Sequence, residues 1–191
     1  MQVQKIVNEH LSIVSKLNNE IIVFEIEKVV NEITKSLSKG NRIYLCGNGG
    51  SAADAQHLAA EFTGRFFLER SSLPAEALHC NTSYLTAVGN DYGFDKVYSR
   101  IIDGIAREGD LLIGLSTSGN SENILNAFKS ANSKKIKTVL FSGQSGGKII
   151  DFSDYKFLIP SESTPRIQEC HILIGHIICE LVEKNIFHEK I

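Results

Sequence analysis

Ser116, Thr117, Ser118, Gly119, Asn120 and Ser121 place four hydroxyls and a glycine between an apolar run, "LLIGL", and a segment of helical periodicity. Hydroxyl donors and the free amides of a first helical turn can converge on one anion, which is the chemistry of a phosphate cradle. A plainer reading makes Asn120 or Ser118 the N-cap, with Glu122 in the first turn of the helix. One hydroxyl suffices for a cap, so four favour a ligand.

A second loop, Gly47-Asn48-Gly49-Gly50-Ser51, follows "RIYLC" and opens another helix. No GxxxxGK[ST] string occurs, so the lysine that reaches a nucleotide's phosphates is missing. Gly47, Gly49 and Ala52 do satisfy GxGxx[GA], but that fingerprint needs an acid about 20 residues on, at the end of the next strand. The next strand candidate ends "LHCN" and offers none, so no nucleotide cofactor is expected. Beyond the turn His57, Glu61 and Arg65 recur at four-residue intervals, on one helical face with Asp54 and Ser51 close by. On an isolated helix this would be a solvated face with a Glu61–Arg65 ion pair. Directly after a glycine-rich turn, it is expected to point into the crevice.

The last apolar segment carries Gln168, His171 and His176. At about 100° per residue the two histidines stand about 140° apart, and Gln168 and His176 about 80°. At most one histidine therefore shares a site with Gln168.

These residues need elements to hold them. Apolar spacing predicts two amphipathic helices over 3–17 and 19–38, the second closed by Gly40. "RIYLC", "LLIGL", "TVLFS" and "YKFLI" read as strands buried on both faces, with 74–80 as a further strand. Helices are expected over 51–64, 94–106, 121–132 and 166–187. The alternation predicts an α/β fold with an open, right-handed parallel sheet and two helices prefixed, whose ligands bind beyond the strand carboxyl ends. "SGQSGGK" at 142–148 reads as a loop too short to separate domains.

Twenty basic against twenty-two acidic side chains in 191 residues give a net charge of -2, which leaves no excess for binding nucleic acid in bulk. Cys46, Cys80, Cys170 and Cys179 form no CxxC pair or common zinc spacing, and read as small core residues in a reduced compartment. No leader pattern opens the chain and no apolar run approaches the roughly 18 residues of a membrane span. A cytoplasmic protein without membrane contact is expected.

Taken together, "CGNGGSAADAQHLAAEFTGRF", "VGNDYGFDKVYSR", "REGDLLIGLSTSGNSENILNA" and "RIQECHILIGHIICELVE" resemble the phosphoheptose isomerase branch of the sugar isomerase (SIS) domain family. The resemblance covers nearly the whole chain. It implies a three-layer, flavodoxin-like parallel sheet flanked by helices, with residues 1–38 an oligomerisation extension and 39–191 the SIS domain. It also implies a homotetramer with sites at subunit interfaces, and conversion of sedoheptulose 7-phosphate to D-glycero-D-manno-heptose 7-phosphate. That reaction is the first step toward the heptose of bacterial lipopolysaccharide, capsule or surface glycans.

By the same resemblance Asn48, Gly49, Gly50, Ser51, Asn90 and Asp91 contact the sugar, together with Glu61, Arg65 and Gln168. Ser116, Thr117, Ser118 and Ser121 take the phosphate. Zinc falls to His57, Glu61, Gln168 and His176, although a neutral amide is a poor zinc ligand. Moving a proton between C1 and C2 through an enediol needs an acid–base pair, for which Glu61 and His176 are suited. Either of the two can take the carbon-bound proton; His176 is favoured for it, with Glu61 serving the oxygens. Relatives carry an acid immediately before the RIQE segment, where this chain has Pro165. Two alternatives remain: an isomerase for another phosphosugar, and a non-catalytic relative that binds the bacterial replication initiator. The latter has other residues at the positions of Glu61 and His176.

Overall fold

The computed structural model describes residues 1–187; the last four residues of the expected 39–191 unit lie outside them. Five parallel strands run in the order β2-β1-β3-β4-β5: β1 Ile43–Gly47, β2 Ala75–Ala77, β3 Leu111–Ser116, β4 Lys137–Gly143 and β5 Tyr155–Ile159. This is the flavodoxin-like order, whose chain direction reverses between β1 and β3 and opens a crevice there. The glycine-rich turn leaves β1 and the hydroxyl loop leaves β3, so both flank that crevice.

Seven α-helices are described: α1 Gln2–Leu17, α2 Glu20–Ser38, α3 Gly50–Thr63, α4 Thr82–Tyr92, α5 Val97–Ile105, α6 Glu122–Ser133 and α7 Thr164–Phe187. Strand side chains alternate between two cores, as the period of two requires. Ile43, Leu45, Ile113 and Phe141 face α1, α2, α3 and α7, whereas Tyr44, Cys46, Leu112 and Leu140 face α4, α5 and α6. The result is a three-layer sandwich. In α2, Val29 and Ile33 are fully buried in the first core, so the second prefixed helix is part of that layer. Helix α1 contributes Ile13 and Leu17 and leaves Val3, Ile6, Val7 and Leu11 exposed. No described helix is long and apolar enough to cross a membrane.

Three expectations need correction. Residues 94–106 form a 3₁₀ turn, Phe94–Lys96, before α5, and α4 was not foreseen. Only Val88 of α4 is buried, so its apolar periodicity is weak; the helix starts where the Asn81 side chain accepts a 3.0 Å bond from the Tyr84 amide. The strand read over 74–80 shrinks to three residues. Cys46, Cys170 and Cys179 are buried, and burial pushes the Cys170 thiol up to about 11, but Cys80 is exposed.

Candidate active site

The turn after β1 is fixed from three sides. Gly49 has φ 55, a left-handed conformation that suits glycine, and starts α3. Tyr98 of α5 donates its hydroxyl to the Gly47 carbonyl. Asn48 and Asn123 exchange two amide bonds of 2.9 Å each, tying the turn to α6. Ser51 is buried, and the Gln168 amide of α7 reaches its Oγ at 3.4 Å.

The hydroxyl loop is not organised as a side-chain cap. Ser121, rather than Asn120 or Ser118, is the N-cap residue of α6, and its side chain bonds no helix amide. Its Oγ instead accepts from Ser116 Oγ at 3.1 Å. Ser118 Oγ accepts from the Asn120 amide at 3.2 Å, which fixes the loop bend. Behind it runs the 142–148 loop: Gly143 donates its amide to the Thr117 carbonyl and Lys148 to Asn120 Oδ1. At Gly119 (φ +64) an added Cβ would sit 2.0 Å from the Gly146 carbonyl, and at Gly147 (φ +53) 2.4 Å from Gly119, so neither glycine can carry a side chain. A cavity of about 680 Å³ opens in front, lined by Thr117, Ser118, Asn120, Gln144, Ser161 and Glu162. Hydroxyls, a helix N-terminus and a cavity lie together here, an arrangement able to hold an anion without giving up a helix cap.

Further along α3 and α7 lies a titratable group. His57 Nε2 is 3.1 Å from Glu61 Oε1, and His176 Nε2 is 3.0 Å from His57 Nε2. One ligand atom from each of the three lies within 4.8 Å of the others. The helices approach closely because Gly175 leaves room for Leu58, whose side chain an added Cβ would meet at 2.6 Å. Phe66 covers one side, its ring centroid 5.6 Å from that of His176. In a tetrahedral zinc site with Zn–N bonds near 2.0–2.1 Å, ligand atoms stand about 3.3 Å apart. His57 Nε2 stands 3.0–3.1 Å from its two neighbours, close to that spacing, and the third separation is within 4.8 Å.

The other sequence-assigned residues lie elsewhere. Gln168 rests on Ser51, about 12 Å of helix rise from His176. Arg65 falls beyond the end of α3 and pairs with Glu69 at 3.7 Å, so the Glu61–Arg65 pair of the solvated-face alternative does not form and Glu61 meets His57 instead. Asn90 and Asp91 are exposed near the end of α4 and bond each other at 2.8 Å. His171 is fully buried; burial pushes its imidazole down to about 4, and Ser142 supplies a carbonyl at 3.3 Å. Three residues escaped the sequence reading. Neither motif nor spacing singles out Asn123, or Arg70 and Glu183, whose charged side chains are buried together.

Comparison with known proteins agrees with this geometry. The SIS domain family matches residues 7–143. The phosphoheptose isomerase of Clostridium acetobutylicum is 50% identical over 167 residues, 87% of this chain and 85% of that protein. This chain belongs to the phosphoheptose isomerase branch of the SIS domain family. A phosphoheptose isomerase from Sulfurimonas denitrificans is 52% identical over 174 residues, covering 91% of this chain and 89% of its own. The solved phosphoheptose isomerase of Neisseria gonorrhoeae superposes with a TM-score of 0.90 at 39% identity, covering 96% of this chain and 97% of that one. Membership makes the protein an isomerase, and the three-layer parallel architecture is that of the SIS fold.

Proposed function

We propose that the protein interconverts sedoheptulose 7-phosphate and D-glycero-D-manno-heptose 7-phosphate. The observation that carries this reading is the convergence of His57, Glu61 and His176 on one another, in a chain whose hydroxyl loop is not used as a side-chain cap. Ser116, Thr117, Ser118 and Ser121 take the phosphate. Asn48, Gly49, Gly50, Ser51 and Gln168 meet the sugar, joined by Asn90, Asp91 and Arg65 on ligand binding. About 9 Å of helix rise separates Ser51 from His57, so the reacting carbons belong to a long phosphosugar held by its far end.

The chain's own groups can move the protons. His176 removes the proton from C1 of the ketose while Glu61 protonates the C2 oxygen, giving an enediol. The proton is then returned to C2 and the C1 hydroxyl loses its own, leaving the aldose. Positioned acid–base groups contribute about 10²- to 10⁴-fold each. His57, Glu61 and His176 would hold zinc; Gln168 rests on Ser51, about 12 Å of helix rise from His176, and is not placed to join them. Bound zinc would polarise the two substrate oxygens. In this reading the enzyme is cytoplasmic, opens heptose synthesis for surface glycans, and assembles as a homotetramer through the exposed apolar face of α1.

The test is isomerisation in D₂O followed by NMR, with Glu61→Gln alongside. Deuterium entering C2 of the aldose, absent in the variant, is the expected result. A folded wild-type protein that binds the phosphosugar without exchange would overturn the reading in favour of a binding protein.

A further inference from the structure

We infer that the buried Arg70–Glu183 pair is a positioning device for the reacting groups; this rests on the acid–base roles proposed for Glu61 and His176. The Glu183 carboxylate, on α7, accepts the backbone amides of Phe66 at 2.9 Å, Phe67 at 2.7 Å and Leu68 at 2.9 Å. Its fourth donor is Arg70 Nε at 2.7 Å. These bonds, against the cost of burial, hold the carboxyl below its ordinary range. The arginine in turn donates to the carbonyls of Glu61 at 2.8 Å, Phe62 at 2.8 Å and Gly64 at 3.2 Å.

Those three carbonyls are among the groups that the end of a helix leaves without partners. A guanidinium therefore closes α3, and it does so at the residue whose side chain belongs to the reacting group. At the other end of the pair, Glu183 stands seven residues from His176, two turns further along the same face of α7. The loop it grips presents Phe66, whose ring packs against His176. One ion pair thus fixes the backbone carrying Glu61, the helix carrying His176 and the ring beside the imidazole. With side chains 2% and 1% exposed, neither partner can touch a substrate in the crevice.

A fork-shaped donor is required for this arrangement. Lysine would keep the charge opposite Glu183 but could not address Glu183 and the helix carbonyls together. Misplacement by about 1 Å of a group that must meet a reacting carbon costs on the order of 10²-fold in rate. The phosphate cradle, on the β3–α6 loop, makes no bond to the pair.

The experiment compares kcat and KM for sedoheptulose 7-phosphate in the full-length wild type, Arg70→Lys and Phe66→Leu, with circular dichroism to verify folding. Folded Arg70→Lys is expected to lose about 10²-fold in kcat with KM within about 3-fold, and Phe66→Leu to fall between it and wild type. Wild-type kcat in both variants, or a loss confined to KM, would overturn the proposal. Should Arg70→Lys not fold, Phe66→Leu decides alone: reduced kcat at unchanged KM supports positioning and wild-type kcat refutes it. A wild type inactive on the substrate would instead overturn the functional reading, and the positioning role with it.

Discussion

Asn48 and Asn123 face each other across the crevice and exchange both amide bonds, each 2.9 Å long. Asn123 is 3% exposed and also accepts the Ile124 amide at 3.0 Å, so its orientation is fixed before any ligand arrives. The pair joins the turn after β1 to α6, the helix that follows the hydroxyl loop. Replacement by Asp keeps the acceptor, loses the donor to Asn48 Oδ1 and buries a charge. Asn123→Asp should therefore lower stability by about 1–3 kcal/mol and raise KM about 10-fold, read by thermal unfolding and steady-state kinetics.

Ser121 gives a cleaner separation of ligand binding from folding. Its hydroxyl caps no helix amide and accepts only from Ser116 Oγ among the bonds described, so Ser121→Ala should cost no more than about 1.5 kcal/mol of stability while losing a bond to phosphate, of about 1.5–3 kcal/mol for a charged acceptor. KM should rise about 10-fold or more with kcat little changed. A larger loss of stability in thermal unfolding, alongside the rise in KM, would assign the hydroxyl to the helix instead.

A zinc ion held by this group would compete with proton transfer for one atom. His176 Nε2 cannot bind a metal and a proton together, whereas His57 is assigned no proton. His57→Ala should lower Zn²⁺ affinity by at least about 10-fold, measured by titration calorimetry on protein first treated with chelator. Unchanged affinity would mean that the three side chains are hydrogen-bonded partners and not a metal site.

His171 predicts an acid-side loss of stability. Its imidazole titrates near 6.5 when the chain is unfolded and at about 4 in the native protein. As pH falls from about 6.5 to about 4, the unfolded chain takes up a proton that the native chain refuses. The contribution, present in full above that window, is roughly 3 kcal/mol and is gone at its lower end. Glu183 and Asp154, whose carboxyls lie below their ordinary ranges, lose their contributions at lower pH still. Urea unfolding across this pH range should show the His171 slope in the wild type and a flatter one in His171→Leu.

Much of the architecture was legible because both sheet faces are covered. Three apolar runs, IYLC, LLIGL and TVLFS, are strands buried on both faces, whereas YKFLI is the edge strand β5, with Lys156 exposed, so the expectation of burial on both faces fails there. Helix α4 was not legible, since a helix that buries only Val88 leaves no periodic trace. His57 and Glu61 were paired by spacing on one helix, while His176 could be separated from His171 only partly by angle. Arg70 and Glu183 stand 113 residues apart and look like surface charges; nothing local in a sequence reports that two such side chains are buried together. The loop at 142–148 was read as a connector, because the backbone contacts of glycines leave no mark in side-chain chemistry.

That loop has a consequence for anyone moving this site to another scaffold. Gly119 and Gly147 touch backbone to backbone, and Ile149 donates its amide to the Gly119 carbonyl at 3.0 Å. The serines after β3 owe their shape to a stretch of chain more than twenty residues away, whose Gln144 lines the cavity with them. Transplanting STSGNS alone would carry the hydroxyls without the mould that shapes them. A working graft has to take residues 116–121 and 143–149 together, along with the two adjacent parallel strands that hold them in register.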